Sequence, residues 1–379
     1  SRGLGDVYKR QTFNNIFRSL NIIPEDAAIP TIRSLSGAII VFGLALYPYV
    51  YLITRVALMN ISKPILESAR VLGTNKFKSL TEIILPLIRP AIFAGLALVC
   101  METLSDFGAV QHFALPTFTT GIFRTWLGMY DLITAMQLAS ILLLVICIMI
   151  FLERKQRANA EYSIANDSRE SSDLIKLKGI KNFSASFFCL MPVLVGFIIP
   201  LFEIISWCVE ITNIFSIKFI YASFNTMLLA ITAGIITTML AILFNFNIRI
   251  SKSKHSKLMN DFISMGYGVP GLILAIGITQ FLTYFDLILF DIGIIFTGSL
   301  FGLIFAYVIK SYALTNNVLE SSYKQFSGSI DESARILGAS KYNLLGNIHI
   351  PLLKTGIFTS VLLVVSEVVK ELPATLVLR

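Results

Sequence analysis

Four carboxylates occur in two pairs with identical spacing. Glu102 and Asp106 are four residues apart, and Glu367 and Glu371 repeat this pair 265 positions later. Side chains four residues apart are neighbours on a helix, so each pair is predicted to share one helix face. Carboxylate oxygens suit hard cations, and acids within apolar helices usually face a cavity and serve a function. The spacing predicts that the four acids converge as a cation-attracting ring along a pathway.

A second interpretation of these acids stays open. They could be gating or packing residues, with Lys370 or Arg124 balancing their charge. No firm metal site is predicted in either case, because the cysteines lie in or at the ends of apolar stretches without metal-ligand spacing. The cysteines are Cys100, Cys147, Cys189 and Cys208.

A polar motif is also repeated at the offset of 265 residues. Each copy reads Glu-x-Ala, three residues, Gly, nine residues, and Ile-x-(Leu/Ile)-Pro. Alanine permits close approach, glycine can end a short helix with positive φ, and Ser329 is predicted to begin a capping box with Glu332. The motif predicts a short helix, a sharp turn and a second helix, forming a rigid knob. Its residues are Glu67, Ala69, Gly73 and Pro86, then Glu332, Ala334, Gly338 and Pro351.

The elements that position these residues are predicted to be membrane helices. The chain is 55% hydrophobic and 14% charged, with a mean hydropathy of +0.75, whereas soluble domains are about 25% charged. About 20 apolar residues cross a bilayer as a helix. The sequence predicts an all-α, polytopic integral membrane bundle with eight spans, at 36–56, 88–108, 134–152, 185–208, 221–246, 262–284, 289–310 and 355–370.

Basic residues are concentrated in alternate loops. Loops 55–90, 153–182, 248–258 and 310–354 carry 6, 7, 4 and 5 Lys plus Arg. The positive-inside rule places these loops in the cytoplasm, together with both motif copies. The net charge of +8 therefore reflects topology rather than nucleic-acid binding, and the lipid bilayer is the predicted surrounding.

The repeats predict two homologous halves of about six spans each, in a protein of about twelve spans of which about eight are present. Residues 1–11 resemble translated adapter sequence and are expected to be a non-native leader. Residues 12–157 are predicted to be the C-terminal part of the first transmembrane domain, with its motif loop at 62–90. A cytoplasmic linker at 158–183 then leads to the second domain at 184–379, with its motif loop at 327–355 and a truncated C-terminal end.

Both motif copies resemble the EAA loop of binding-protein-dependent ABC importer permeases. Further segments are similar to the fused permeases for ferric iron; they are 46–52, 101–108, 116–126 and 370–376. The resemblance implies the MetI-like permease fold in a bacterial inner (plasma) membrane. It further implies that each knob enters a cleft of an ABC ATPase subunit, so that two ATPase copies bind.

The resemblance implies a transport subunit rather than an enzyme. The sequence contains no Gly-x-x-x-x-Gly-Lys-Ser/Thr phosphate loop, so ATP and Mg are expected on the partner ATPase and no cofactor on this chain. A periplasmic binding protein would deliver the substrate, and the halves would alternate between inward and outward openings.

Several alternatives remain at the level of sequence. Related fused permeases carry thiamine, polyamines or phosphonates, so the substrate remains open within the class of ABC importer permeases. A secondary transporter driven by an ion gradient would also use repeats and intramembrane acids. A membrane-bound sensor or scaffold could use the same loops without transport.

Overall fold

Helices supply all of the regular secondary structure that is described. The computed structural model describes residues 33–378 apart from 60, 62–64, 66, 69–70, 72, 162–176, 211–215, 252 and 290–294. No strand occurs within these residues, and the predicted all-α membrane fold is confirmed. The principal helices are α1 (Leu35–Met59), α2 (Leu85–Ser105), α3 (Gly108–His112), α4 (Phe118–Phe123), α5 (Leu132–Glu161), α6 (Ile180–Val193), α7 (Ile199–Glu210), α8 (Ile217–Ser251), α9 (Lys254–Ile263), α10 (Gly271–Ile288), α11 (Leu300–Lys324), α12 (Ser329–Ile336), α13 (Ile350–Lys370) and α14 (Pro373–Leu378).

Seven helical stretches among the described residues are long and apolar enough to cross a membrane. They are Leu35–Met59, Phe77–Ser105, Leu132–Leu152, Ile180–Val209, Ile217–Ser251, Gly271–Ile288 and Lys341–Lys370. The eighth span, predicted at 289–310, corresponds to α11, which begins later and is less apolar. Twelve of its 25 residues are buried, so protein rather than lipid surrounds much of this helix and polar side chains are tolerated. Its length of about 37 Å is sufficient for a crossing.

The second half has a tightly packed centre. Helices α8, α11 and α13 pack against one another, and small residues let their backbones approach closely. A Cβ on Gly234 would lie 3.3 Å from Val361 Cγ1, and one on Gly356 would lie 2.4 Å from Ser322 Oγ. The fully buried members of this core include Ala230, Ala233, Ala275, Ala306 and Val364.

The first half is built on the pair α1 and α2. A Cβ on Gly95 would lie 2.8 Å from Val50 Cα, so the two helices can meet at this distance only because residue 95 is glycine. A Cβ on Gly196, between α6 and α7, would lie 3.0 Å from the Leu44 carbonyl oxygen. The first span of the second half therefore packs on α1 of the first half.

An apolar cluster joins the two halves. Leu142 and Ile146 on α5 pack with Leu272 and Ile276 on α10, and all four side chains are at most 4% exposed. Gly268 extends this contact, since a Cβ there would lie 2.7 Å from Ile150 Cδ1. This interface fixes the segment just before α10 against the first half.

The predicted division of the chain stays a prediction. Residues 1–11 and most of the 158–183 linker lie outside the described residues. Helix α5 continues to Glu161, and α6 begins at Ile180. Helical structure thus extends a few residues into the predicted linker from both sides.

Candidate functional site: two repeated knobs and a polar cluster between the halves

The second motif copy forms a helix that ends in a Schellman turn. Gly338 follows α12 with φ of 83°. The Gly338 N–H donates to the Arg335 carbonyl, and the Ala339 N–H donates to the Ala334 carbonyl, both at 3.0 Å. This pair of bonds satisfies two carbonyls at the end of the helix and needs a residue that tolerates positive φ. The glycine of the motif therefore sets the sharp turn of the knob.

The start of α12 differs from the prediction. Gly328 occupies the N-cap position without a side-chain cap, and its carbonyl accepts from the Glu332 N–H at 3.3 Å. Ser329 is the first helical residue, and its Oγ lies 2.5 Å from Ser327 Oγ. The predicted capping box of Ser329 with Glu332 is wrong, because Ser329 already lies inside the helix.

The two motif copies share their backbone design. Gly73 has φ of 77°, close to that of Gly338. In each half a π-helical turn follows, at Leu80–Ile84 and Leu344–His349, and Pro86 and Pro351 lie in the first turns of α2 and α13. Proline cannot donate to the preceding turn, so a locally widened helix accommodates it.

The motif residues occupy different environments on the knobs. Glu67 and Glu332 are exposed, as are Gly73 and Gly338. Ala334 is 6% exposed and faces the protein, whereas Ala69 lies outside the described residues. Ala334 therefore has the close-packed place that the sequence predicts for this alanine.

Large apolar side chains project from both knobs. Ile336 and Tyr342 are 86% and 88% exposed, and Val71 and Phe77 are 87% and 73% exposed. Val71 matches Ile336 and Phe77 matches Tyr342 at the offset of 265 residues. Exposed apolar patches rimmed by polar residues mark interaction sites. Sequence reasoning missed these four residues, although their equal offset within polar loops was a usable signal.

A buried charged group supports the second knob. Asp331 on α12 accepts from Arg249 Nε at 2.5 Å and lies 2.8 Å from His349 Nε2. Burial alone would raise the pKa of the Asp331 carboxyl, but hydrogen bonds and charge from Arg249 and His349 hold it below the usual range. Asp331 is therefore ionised at neutral pH and accepts both bonds.

Two of the four repeated acids meet a polar cluster between the halves. Tyr267, from the second half, donates to Glu102 Oε1 of the first half at 3.0 Å. Glu367 is 8% exposed and pairs with Lys370 at 2.7 Å. Tyr49 is close enough to interact electrostatically with Glu102, Glu367 and Lys370. These five side chains, Tyr49, Glu102, Tyr267, Glu367 and Lys370, are called the seam cluster below.

The other two acids do not share a helix face with their partners. Helices α2 and α13 end at Ser105 and Lys370, and Asp106 and Glu371 have extended backbone with ψ of 134° and 98°. The prediction of one shared face is wrong here, because the helices end between the two acids of each pair.

Asp106 and Glu371 instead begin the next short helices. Asp106 Oδ1 accepts the N–H groups of Ala109 and Val110 at 2.9 and 3.1 Å. Glu371 Oε1 accepts the Ala374 N–H at 3.3 Å, and its other oxygen is paired with Lys310. Side-chain oxygens at this position satisfy the free N–H groups at a helix start.

Among the described residues, the four acids form no ion pair with Arg124. Arg124 lines a pocket with Gln111, Thr117 and Thr120. Within the described part of the chain it makes no ion pair, while Lys370 pairs with Glu367 as one interpretation expected. No three His, Cys, Asp or Glu side chains of the described residues form a metal-binding group.

A bundle of apolar helices with two matching knobs on its basic side defines a membrane-embedded transport subunit. The chain belongs to the family of binding-protein-dependent transport system inner membrane components, which it matches over residues 29–155 and 238–378. It is therefore a multi-pass protein of an inner membrane, and membership of this family identifies it as a transport component.

Two curated relatives resemble most of the chain. The Fe(3+)-transport system permease protein FbpB 2 of Haemophilus influenzae is 24% identical over 349 residues, which cover 90% of this chain and 67% of the relative. The ferric transport system permease protein FbpB of Actinobacillus pleuropneumoniae is 24% identical over 348 residues, which cover 86% of this chain and 49% of the relative. The chain thus spans about two thirds of the length of the first relative and about half of the length of the second. No solved structure matches the chain significantly.

Proposed function

We propose that this chain is the permease of an ATP-driven importer for ferric iron delivered by a periplasmic binding protein. The observation that carries the proposal is the pair of matching knobs on the basic, cytoplasmic side. The substrate is inferred from the two relatives, whose names specify ferric iron. Thiamine, polyamine and phosphonate are the competing substrates.

Each knob is proposed to bind one ATPase subunit. The aliphatic and aromatic pair at its tip, Val71 with Phe77 or Ile336 with Tyr342, offers an apolar anchor to a cleft. Glu67 and Glu332 lie beside these anchors and are exposed to a partner. Two equivalent knobs support two ATPase copies, and ATP and Mg are assigned to those subunits.

The seam cluster is the proposed route between the halves. Its carboxylates and phenol oxygens are hard donors of the kind that attract a hard cation. Glu102 and Glu367 thus remain pathway candidates, while the contacts of Asp106 and Glu371 support helix-start roles. The two halves would separate at this cluster when ATPase closure moves the knobs.

Docking at the knobs is tested by a charge placed on their tips. The double variant Phe77→Glu and Tyr342→Glu, made in the complete transport complex, is expected to abolish ATPase co-purification and uptake of radiolabelled ferric iron. A buried anion in an apolar cleft is strongly unfavourable. Tyr342→Phe is the matched control, since Phe77 is the natural counterpart, and it should retain both activities.

The outcomes separate the alternatives. ATPase binding without iron uptake by the unaltered complex would reject iron as the substrate and retain the class. Uptake that persists without ATP and stops when an ion gradient is collapsed would identify a secondary transporter. Recruitment of proteins without transport of any tested substrate would indicate a sensor or scaffold.

A further inference from the structure

The second knob is fastened to two long helices by three charged or titratable side chains. Asp331 lies on α12, Arg249 is near the end of α8, and His349 immediately precedes α13. Asp331 and His349 are 8% and 0% exposed. This trio, called the Asp331 cluster below, joins elements 82 and 18 residues apart in the chain.

Arg249 uses its whole guanidinium group in this contact. Besides the bond to Asp331, its Nη atoms donate to the carbonyls of Tyr323, Phe326 and Ser327 at 2.9–3.4 Å. These carbonyls belong to the end of α11 and the segment that leads into α12. The guanidinium carbon also lies 4.7 Å from the centre of the Phe326 ring, a cation–π distance. Arg249 thus contacts both the knob helix α12 and residues 323–327, which lead into it. Asp331, His349 and this segment are called the root of the second knob below.

His349 is the third side chain of the Asp331 cluster, and it contacts Asp331 from the segment just before α13. Its ring lies among Phe246, Tyr323 and Phe326, with centroid distances of 5.2–6.0 Å. Because the ionised Asp331 can only accept, Nε2 must carry the proton of this hydrogen bond. His349 Nδ1 is buried without a hydrogen-bond partner among the described residues. The bond from Nε2 to Asp331 is therefore the hydrogen bond that fixes the orientation of this ring.

The first motif copy differs in sequence from the second at the positions of Asp331 and His349. At the offset of 265, Asp331 corresponds to Leu66 and His349 corresponds to Ile84. Neither side chain can form a hydrogen bond or carry a charge. The internal repeat therefore contains one knob with a polar root and one whose corresponding positions are apolar.

We propose that Asp331 is a positioning residue that makes the two knobs mechanically unequal, with the second knob transmitting ATPase movement directly to α8 and α13. The proposal rests on the proposed function, in that each knob receives an ATPase subunit. Moving α12 alone would separate the buried Asp331 carboxylate from Arg249 and His349, and an unpaired buried carboxylate is strongly unfavourable. Movement of α12 with α8 and α13 keeps the contacts intact. Leu66 and Ile84 cannot form a hydrogen-bonded ion pair of this kind, and dispersion contacts lack direction.

The consequence reaches the seam cluster through α13. This helix begins next to His349 and carries Glu367 and Lys370 near its other end. A displacement of the second knob would thus move two members of the seam cluster as part of one helix. The first knob would move Glu102 through α2 with a weaker link.

The experiment replaces Asp331 and His349 with the residues found at the matching positions of the first knob, leucine and isoleucine. In the full complex with its ATPase subunits, Asp331→Leu combined with His349→Ile is expected to keep assembly and ATP hydrolysis, while iron imported per ATP falls about ten-fold. Two single variants that keep Asp331 test the hydrogen bond itself. His349→Gln retains an N–H donor near the Nε2 position and should keep the coupling, whereas His349→Ala should lose it. Equal import per ATP in the double variant and the unaltered complex would overturn the proposal.

A readout without iron separates this proposal from the substrate assignment. Trapping the complex with ATP and vanadate should alter hydrogen exchange at the end of α8 and the start of α13, and the double variant should lose this change. An unaltered complex that imports no iron but changes its exchange would reject the substrate alone. If the double variant does not assemble, Arg249→Lys decides. It keeps the charge but loses the planar fork, and retention of the exchange change in this variant would overturn the proposal.

Discussion

The four repeated acids, Glu102, Asp106, Glu367 and Glu371, have different roles at the boundary between the halves. Glu102 receives a hydrogen bond from Tyr267 across the boundary, and Glu367 is neutralised by Lys370. Asp106 and Glu371 instead satisfy backbone N–H groups at helix starts. Equal spacing in the sequence therefore yields two pathway candidates and two residues that support local structure.

Removing the charge of both pathway candidates should impair transport. We expect Glu102→Gln combined with Glu367→Gln to reduce iron uptake by at least about ten-fold, because cation attraction along the seam would be lost. ATPase assembly should remain, since both residues lie far from the knobs in sequence and structure. Uptake of radiolabelled iron and ATPase co-purification are the measurements. Glu320→Gln, at an exposed helix surface, is the control, and unchanged uptake in the double variant would reject the pathway assignment.

The hydrogen bond from Tyr267 to Glu102 can be tested separately by removing the tyrosine hydroxyl. Tyr267→Phe removes the donor to Glu102 and should lower stability by about 0.5–3 kcal/mol, the range for a hydrogen bond to a charged or neutral partner. Thermal unfolding in detergent measures the effect. Tyr51→Phe removes a hydroxyl from a residue that is 54% exposed and should have little effect. Equal melting temperatures for Tyr267→Phe and the unaltered protein would argue against this bond.

The knob is an element whose shape depends on one backbone conformation. Gly73 and Gly338 both have positive φ, and no atom of the described residues lies within 4 Å of a Cβ built on either glycine. The cost of a Cβ at these positions is therefore expected to come from the left-handed backbone. The repeat preserves this conformation although the surrounding residues differ in chemistry.

Alanine at the turn should distort the knob without changing its contacts. Gly338→Ala is expected to destabilise the turn by about 1–2 kcal/mol, the cost of left-handed backbone for a residue with Cβ. ATPase affinity in a titration should fall accordingly. Gly346→Ala is the matched control, since residue 346 has equal space but no positive φ. Equal loss of affinity in both variants would show that left-handed backbone is not the cause.

The whole molecule depends on how the two halves meet. Leu142 and Ile146 are 1% exposed and pack against Leu272 and Ile276 of the other half. This apolar interface holds α5 against α10 and places Tyr267 beside Glu102. The seam cluster therefore exists only when both halves are assembled.

A cavity at this interface should weaken the assembly. Ile146→Ala is expected to cost about 2–5 kcal/mol, as is usual for a large buried aliphatic side chain. Thermal unfolding and co-purification of the two halves after cleavage of the linker would measure the loss. Ile148→Ala is the control, because this side chain is 51% exposed and should matter less. A similar effect of the two substitutions would contradict the interface.

The amino-acid sequence by itself determined the membrane class, the two halves and the knobs. These features arise from local information: apolar runs of sufficient length, basic loops, and a motif in which glycine and proline act on neighbouring backbone. The same local information predicted the ring of four acids on shared helix faces, but each helix ends between the paired residues. It also placed Ser329 in a cap, although the helix begins one residue earlier.

Only the tertiary structure decided which distant side chains meet. Tyr267 and Glu102 are 165 residues apart, and Arg249 and Asp331 are 82 residues apart. Tyr49 on α1 likewise lies within electrostatic reach of Glu102 on α2. Such contacts depend on the rotation and depth of packed helices, which are set by many weak apolar interactions together and leave no local pattern in the sequence.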